Sequence, residues 1–141
     1  MNLPDDRPPH VLVIDDEEDL CELIALRLEH HGFRVSSEQT CRGGLEILER
    51  EVVDAMLLDL NLPGKSGVQI LKMIRENVMI SDMPVVIFTG DKTRETLAQC
   101  MQIGITDYIA KPVDMHQFGV KFARLRKIVA QMAATRGKAD T

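Results

Sequence analysis

The chain has 141 residues and carries 17 Lys and Arg against 22 Asp and Glu, a net charge of -5. Hydrophobic residues at 45% and charged residues at 28% are ordinary for one folded globular domain and exclude wholesale disorder. The longest apolar run, Met83 to Phe88, is too short to span a bilayer, and a pI near 5.3 excludes a nucleic-acid footprint over the whole surface. Met1 to His10 holds prolines and aspartates where a signal peptide would be apolar. Cys21, Cys41 and Cys100 show no pairing motif, so the expected setting is a reducing cytoplasm, with the cysteines packed as small apolar groups.

After a tail over residues 1–8, the run Val11–Ile14 predicts a buried strand that ends on Asp15 and Asp16, with Glu17, Glu18 and Asp19 following. Leu20, Ile24 and Leu28, with Leu23 beside them, predict a helix stopped by Gly32. His30 and His31 fall at its negative end, where exposed imidazoles are favoured. Phe33–Ser37 is a weaker strand candidate, and Cys41, Leu45 and Leu48 mark a second helix. Ala55–Leu58 is the third strand and ends on Asp59, followed by Leu60, Asn61, Leu62, Pro63 and Gly64. Val68, Leu71 and Ile74 predict the third helix; Val85–Phe88 is the fourth strand, ending on Thr89 and Gly90. Leu97 and Met101 mark a helix up to Gly104, and Tyr108–Ala110 is the fifth strand, ending on Lys111 and Pro112. The eight methionines are expected to fill the core.

A final helix begins near Asp114. Phe118, Phe122, Leu125, Val129 and Met132 follow at spacings of 4, 3, 4 and 3, and Gly137 is expected to stop the helix after Ala134. From Asp114 onward there are six Lys or Arg and two Asp, a basic end on an acidic chain. The heptad rhythm raises the prospect of a weak homodimer through this helix, set against the simpler reading of a solvated helix end.

Five short apolar runs alternating with five helical patterns imply an α/β fold with a parallel sheet and helices on both faces. In such sheets the ligand site lies outside the carboxyl ends of the strands. That rule gathers Asp15, Asp16, Asp59, Thr89 and Lys111. Each alone has a structural explanation: an acidic first turn, a Pro-Gly loop, a strand-end hydroxyl, a solvated lysine. Their joint placement is what argues for chemistry. Three converging carboxylates repel one another, and a hard divalent cation such as Mg²⁺ resolves the conflict.

The series Val-Leu-Val-Ile-Asp15-Asp16, Leu-Leu-Asp59-Leu-Asn-Leu-Pro63-Gly64-Lys-Ser-Gly67, Phe-Thr89-Gly and Asp-Tyr108-Ile-Ala-Lys111-Pro112 resembles the receiver domain of two-component response regulators, from about Pro9 to Val129. The resemblance implies a flavodoxin-like, doubly wound sheet of five parallel strands in the order 2-1-3-4-5, flanked by five helices. It places the receiver at residues 9–130 and a helical extension and tail at 131–141. It implies Asp59 as phosphoacceptor, Lys111 and Thr89 as catalytic partners, and Mg²⁺ (or Mn²⁺) held by Asp15, Asp16, Asp59 and the main-chain carbonyl of Asn61. Thr89 and Tyr108 would form the switch, Lys111-Pro112 a cis peptide, and Asn61 and Asp91 would flank the path of the hydrolytic water.

The expected partners are a sensor histidine kinase or phosphotransfer protein, and a downstream output protein or domain. The output would engage the Arg94–Ile103 helix, Tyr108 and the Asp114–Met132 helix. The chain would be a cytoplasmic switch catalysing only its own phosphorylation and dephosphorylation, without direct nucleic-acid or membrane binding, either alone or as the N-terminal part of a longer regulator. A haloacid-dehalogenase-type phosphatase is disfavoured because Asn61 stands where that chemistry needs a second aspartate. A nucleotide or flavin carrier is disfavoured because Asp-Asp-Glu-Glu-Asp repels an anion where glycines and free amides would cradle one. A degenerate receiver is disfavoured because every residue the switch needs is present.

Overall fold

The computed structural model describes residues 7–64, 66–90 and 93–139, with side chains through Thr135. Five strands alternate with five helices: β1 (His10–Ile14), α1 (Glu18–His30), β2 (Arg34–Glu38), α2 (Cys41–Arg50), β3 (Ala55–Leu58), α3 (Gly67–Glu76), β4 (Val85–Thr89), α4 (Arg94–Ile103), β5 (Asp107–Ala110) and α5 (Met115–Ala139). All pairings are parallel and the order is β2-β1-β3-β4-β5. β1, β3 and β4 are buried along their whole length, as continuous apolar runs between two helical layers require. No described helix is long and apolar enough to cross a membrane.

Side-chain alternation along these strands feeds two cores. Leu12, Ile14, Met56, Leu58, Val85 and Ile87 pack with α2, α3 and α4. Val11, Val13, Ala55, Leu57, Val86 and Phe88 pack with α1 and α5. The second core holds an aromatic column: Phe88 lies 5.8 Å from Phe118, Phe118 stacks 4.9 Å from Phe122, and His31 meets Phe122 edge-on at 6.3 Å. His31 is therefore half-buried, not the exposed residue the sequence suggests, because α5 crosses the end of α1.

Helix ends follow local chemistry. At the end of α1, Gly32 takes φ +87° and donates to Glu29 O, while Phe33 donates to Leu28 O, a Schellman closure. α3 starts in a capping box between Ser66 and Gln69. Arg75 near its other end donates to the carbonyls of Gly104, Ser81 and Met83, tying together the loops that lead into β4 and β5.

Several expectations need correction. The buried stripe of α2 is Cys41, Gly44 and Ile47, with Leu45 and Leu48 only half-buried, because Gly44 faces Ile14. A Cβ at Gly44 would stand 2.3 Å from Ile14 Cδ1, so any larger residue here would force the Ile14 side chain to move. On α4 the buried residue is Cys100, whereas Met101 is exposed. Met56 and Met83 fill the core, but Met73, Met79, Met101 and Met115 are exposed: they lie on outer helix faces and in the loop after α3. Gly137 does not stop α5, whose backbone stays helical to Ala139. Phe118, Phe122, Leu125 and Val129 are all buried against the sheet, so the heptad rhythm is already used within the domain and only Met132 is half-buried beyond it.

Candidate functional site

β1, β3, β4 and β5 deliver Asp15, Asp59, Thr89 and Lys111 to one edge of the sheet. Main-chain bonds extend the ladder to the site: Asp15 N–H donates to Glu38 O, Asp59 N–H to Ile14 O and Lys111 N–H to Thr89 O. These positions are fixed by strand register, so the site is built on rigid elements. α3 presses on it from beside. A Cβ on Gly67 would stand 2.6 Å from Asp59 O and Leu60 Cα, so a glycine is required where the helix meets this loop.

Lys111 is the hub. Its Nζ lies 2.8 Å from Asp15 Oδ2, 3.1 Å from Glu17 Oε1 and 3.2 Å from Asp59 Oδ2, and 5.3 Å from the centre of the Phe88 ring. Asp15, Asp59 and Thr89 are buried. Asp59 Oδ1 accepts from the Asn61 amide N–H, and the Asn61 side chain reaches Thr89 Oγ1 at 3.4 Å. The Lys111-Pro112 peptide is cis.

Burial pushes the Asp15 carboxyl above its ordinary range, opposed by Lys111 and the Glu17 N–H, and reinforced by the negative charge of Asp59. Burial alone would lower Lys111, but the adjacent Asp15 carboxylate, with Asp59 and Glu17, outweighs it and raises the ammonium's pKa. Cys21 donates to Asp15 O; burial and the Asp15 charge push its thiol up to about 11, so it stays protonated and is no nucleophile.

Asp15 Oδ2 is buried with no hydrogen bond of good angle; the ammonium 2.8 Å away compensates its charge but not its remaining acceptor capacity. Asp15, Asp16 and Glu17 offer carboxylate oxygens within 4.8 Å of one another, the single such group among the described residues. Three carboxylates around one ammonium, with Asp16 at the rim, leave the edge anionic. An all-oxygen, carboxylate-rich donor set with an under-satisfied buried oxygen fits a hard divalent cation.

The structure thus brings Asp15, Asp59, Lys111, Asn61 and Thr89 together, with Asp16 at the rim. Asp59 is not part of the compact acidic group; Glu17 takes that place. Glu17 is a participant to which the sequence reading gives no role. Its only signal was its position directly after Asp15 and Asp16, since its contact to Lys111 joins residues 94 apart in the chain. Tyr108 sits in register with Ile87 and is half-buried against the α2–α4 side of the core. Its N–H donates to Asp107 Oδ1, its carbonyl accepts from Lys121 Nζ, and Lys121 also bonds Asp107 Oδ1 at 2.7 Å. Asp91 lies outside the described residues.

Comparison with known proteins agrees with this fold. The family profile described as the response regulator receiver domain matches residues 11–122. The chain is 35% identical over 83% of its length to the regulatory protein VirG of Rhizobium rhizogenes, covering 46% of that protein. It is 33% identical over 84% of its length to the response regulator ArlR of Staphylococcus saprophyticus, covering 51%. The chain spans about half the length of the curated relatives it matches. Among solved structures, a CheY-like receiver domain protein of Methanospirillum hungatei JF-1 superposes with a TM-score of 0.80 at 23% identity, over 89% of this chain and 98% of that one. The chemotaxis response regulator CheY4 of Vibrio cholerae superposes with a TM-score of 0.76 at 20% identity, over 83% and 98%. These two likenesses show the fold.

Proposed function

The chain belongs to the response regulator receiver domain family, and from that premise we propose that it accepts a phosphoryl group on Asp59 from a histidine kinase or phosphotransfer protein. The observation that carries this reading is the convergence of buried Asp15 and Asp59 on Lys111 at 2.8 and 3.2 Å, at the carboxyl ends of β1, β3 and β5. An oxygen of the Asp59 carboxylate attacks phosphorus, the P–N bond to the donor imidazole breaks with its electron pair left on nitrogen, and an acyl phosphate forms. Lys111 neutralises charge on the transferred group, and the rigid strand ends hold nucleophile and ammonium in place. Thr89, buried at the end of β4, would donate its hydroxyl proton to a phosphoryl oxygen after transfer.

A Mg²⁺ or Mn²⁺ ion would be held by Asp15, Asp16, Asp59 and the main-chain carbonyl of Asn61. When bound it supplies positive charge to balance the phosphoryl oxygens. Hydrolysis by water returns Asp59 to the carboxylate, so the protein catalyses only the making and breaking of its own acyl phosphate. Tyr108 and Thr89 form the switch, and the outward surface of α4, Tyr108 and α5 would engage an output protein or domain. The curated relatives include transcriptional regulators by name, about half of whose length this chain covers, which supports an output role without assigning one. The test is intact mass after treatment with a small phosphodonor and Mg²⁺. The wild type is expected to gain one phosphoryl group and Asp59→Asn none; equal uptake would overturn the assignment.

A further inference from the structure

The Lys111 ammonium has three N–H donors. Three carboxylate oxygens, from Asp15, Glu17 and Asp59, surround it at 2.8, 3.1 and 3.2 Å. Two donors are hydrogen-bonded, to Glu17 and Asp59, and the Asp15 oxygen crowds the third side without a bond of good angle, so an incoming phosphoryl oxygen sits against this cation only by displacing one of these contacts. The three are not equal. The Asp15 and Asp59 side chains are 1% and 4% exposed, and parting either from Lys111 would strand a buried charge. The Glu17 side chain is 61% exposed, and water replaces its partner at little cost.

Two further observations mark Glu17. It occupies the N-cap of α1, yet its side chain makes no capping bond, so its carboxylate is not spent on the helix. Its backbone is pinned by the N–H bond to Asp15 Oδ1 at 2.9 Å, while its carboxylate already lies within 4.8 Å of ligand oxygens of Asp15 and Asp16. A side-chain rotation alone carries it from the ammonium to the acidic rim. The under-satisfied Asp15 Oδ2 shows where cation demand lies.

We propose that Glu17 is a positioning residue that exchanges partners: it holds Lys111 from the solvent side in the metal-free protein, and turns to the Asp15–Asp16 carboxylates when a divalent cation enters, freeing one ammonium donor for the phosphoryl group. The inference rests on the receiver reading above and adds a residue to it. It makes metal entry and release of the lysine one event.

The test uses the full chain as wild type, Glu17→Gln and Glu18→Gln. The Glu18 variant removes the same charge one residue along without touching Lys111. Mn²⁺ affinity is measured by electron paramagnetic resonance, and the Lys111 ε-methylene signal is followed by NMR with and without Mg²⁺. Glu17→Gln is expected to weaken Mn²⁺ binding roughly three- to tenfold, the scale of one charge interaction at about 4 Å in water, and Glu18→Gln by less than about twofold. Mg²⁺ should move the wild-type Lys111 signal toward its position in metal-free Glu17→Gln. Equal losses in the two variants, or a Lys111 signal that Mg²⁺ leaves unchanged, would overturn the exchange. A wild type that binds no Mn²⁺ would overturn the receiver reading itself.

Discussion

Asn61 and Thr89 are joined across the mouth of the site: the Asn61 side-chain amide donates to the Thr89 hydroxyl oxygen at 3.4 Å. The hydroxyl accepts in this bond, so its proton is not consumed by Asn61. The bond is long and easily exchanged for water. On the proposed function, Asn61 would line the approach of water to Asp59 with a small polar group. Replacing it by Leu keeps the volume and removes the polarity, and should lengthen the acyl-phosphate lifetime by about tenfold, the scale of one lost hydrogen bond to the attacking water. The check is phosphate release after removal of the donor, where the wild type should decay within seconds to minutes.

Lys111 is the sole cation against Asp15 and Asp59 among the described ion pairs. Lys111→Met should lower stability by about 3 kcal/mol in the absence of metal, because it leaves two buried carboxylates facing each other. Millimolar Mg²⁺ should recover much of that loss in urea unfolding while phosphoryl uptake stays impaired. A loss that Mg²⁺ does not touch would mean that the cation does not enter between these carboxylates.

Arg75 spends its guanidinium on three main-chain carbonyls, those of Gly104, Ser81 and Met83. Arg75→Ala should destabilise the fold by about 2–3 kcal/mol, and Arg75→Lys should recover only part of this, since an ammonium cannot span the fork. Chemical denaturation of the three proteins measures both differences.

His31 supplies a pH dependence. Burial against Phe122, then the charge of neighbouring His30, lower its pKa from the usual 6.5, against the opposing pull of the helix end. Across α5 the nearby cation is Arg126, whose Nε would lie 3.5 Å from a Cβ on Gly32 and offers no compensating negative charge. With the folded pKa below the unfolded one, the unfolded chain binds the proton more readily. The contribution of His31 is therefore complete above about pH 6.5 and is lost as pH falls through the folded value. Urea midpoints at pH 7.5 and 5.5 should differ less in His31→Gln than in the wild type.

Gly67→Ala would set a methyl group against the Asp59 carbonyl and Leu60 Cα, both backbone atoms that cannot rotate away. A loss of about 1–3 kcal/mol is expected, together with slower phosphorylation, because relief moves the loop that carries Asp59. An Ala variant with full stability and wild-type phosphorylation kinetics would show that α3 has slack at this contact.

The sheet and most of the site were readable from the chain because both obey short-range rules. Buried parallel strands appear as continuous apolar runs, and their last residues face the ligand edge, which identified Asp15, Asp59, Thr89 and Lys111. Helix phase was less readable: α2 turns Gly44 inward, and a pattern search weighted toward leucine missed a residue chosen for being small. Contacts between distant segments left no periodic trace. Glu17 on Lys111 and Arg75 on three carbonyls are of this kind. So is His10, buried at the start of β1 between Val52 O and Ser36 Oγ.

Tyr108 shows what such distant contacts do to motion. With its N–H held by Asp107 and its carbonyl by Lys121, and with Asp107 and Lys121 bonded to each other, its peptide units are tethered on either side. Its main chain is thereby held on both sides at the end of the sheet. If Tyr108 acts as the proposed switch, a change at its side chain would cost less than a change in this tethered backbone. The chain has one tyrosine and no tryptophan, so the tyrosine emission of the protein comes from this one position.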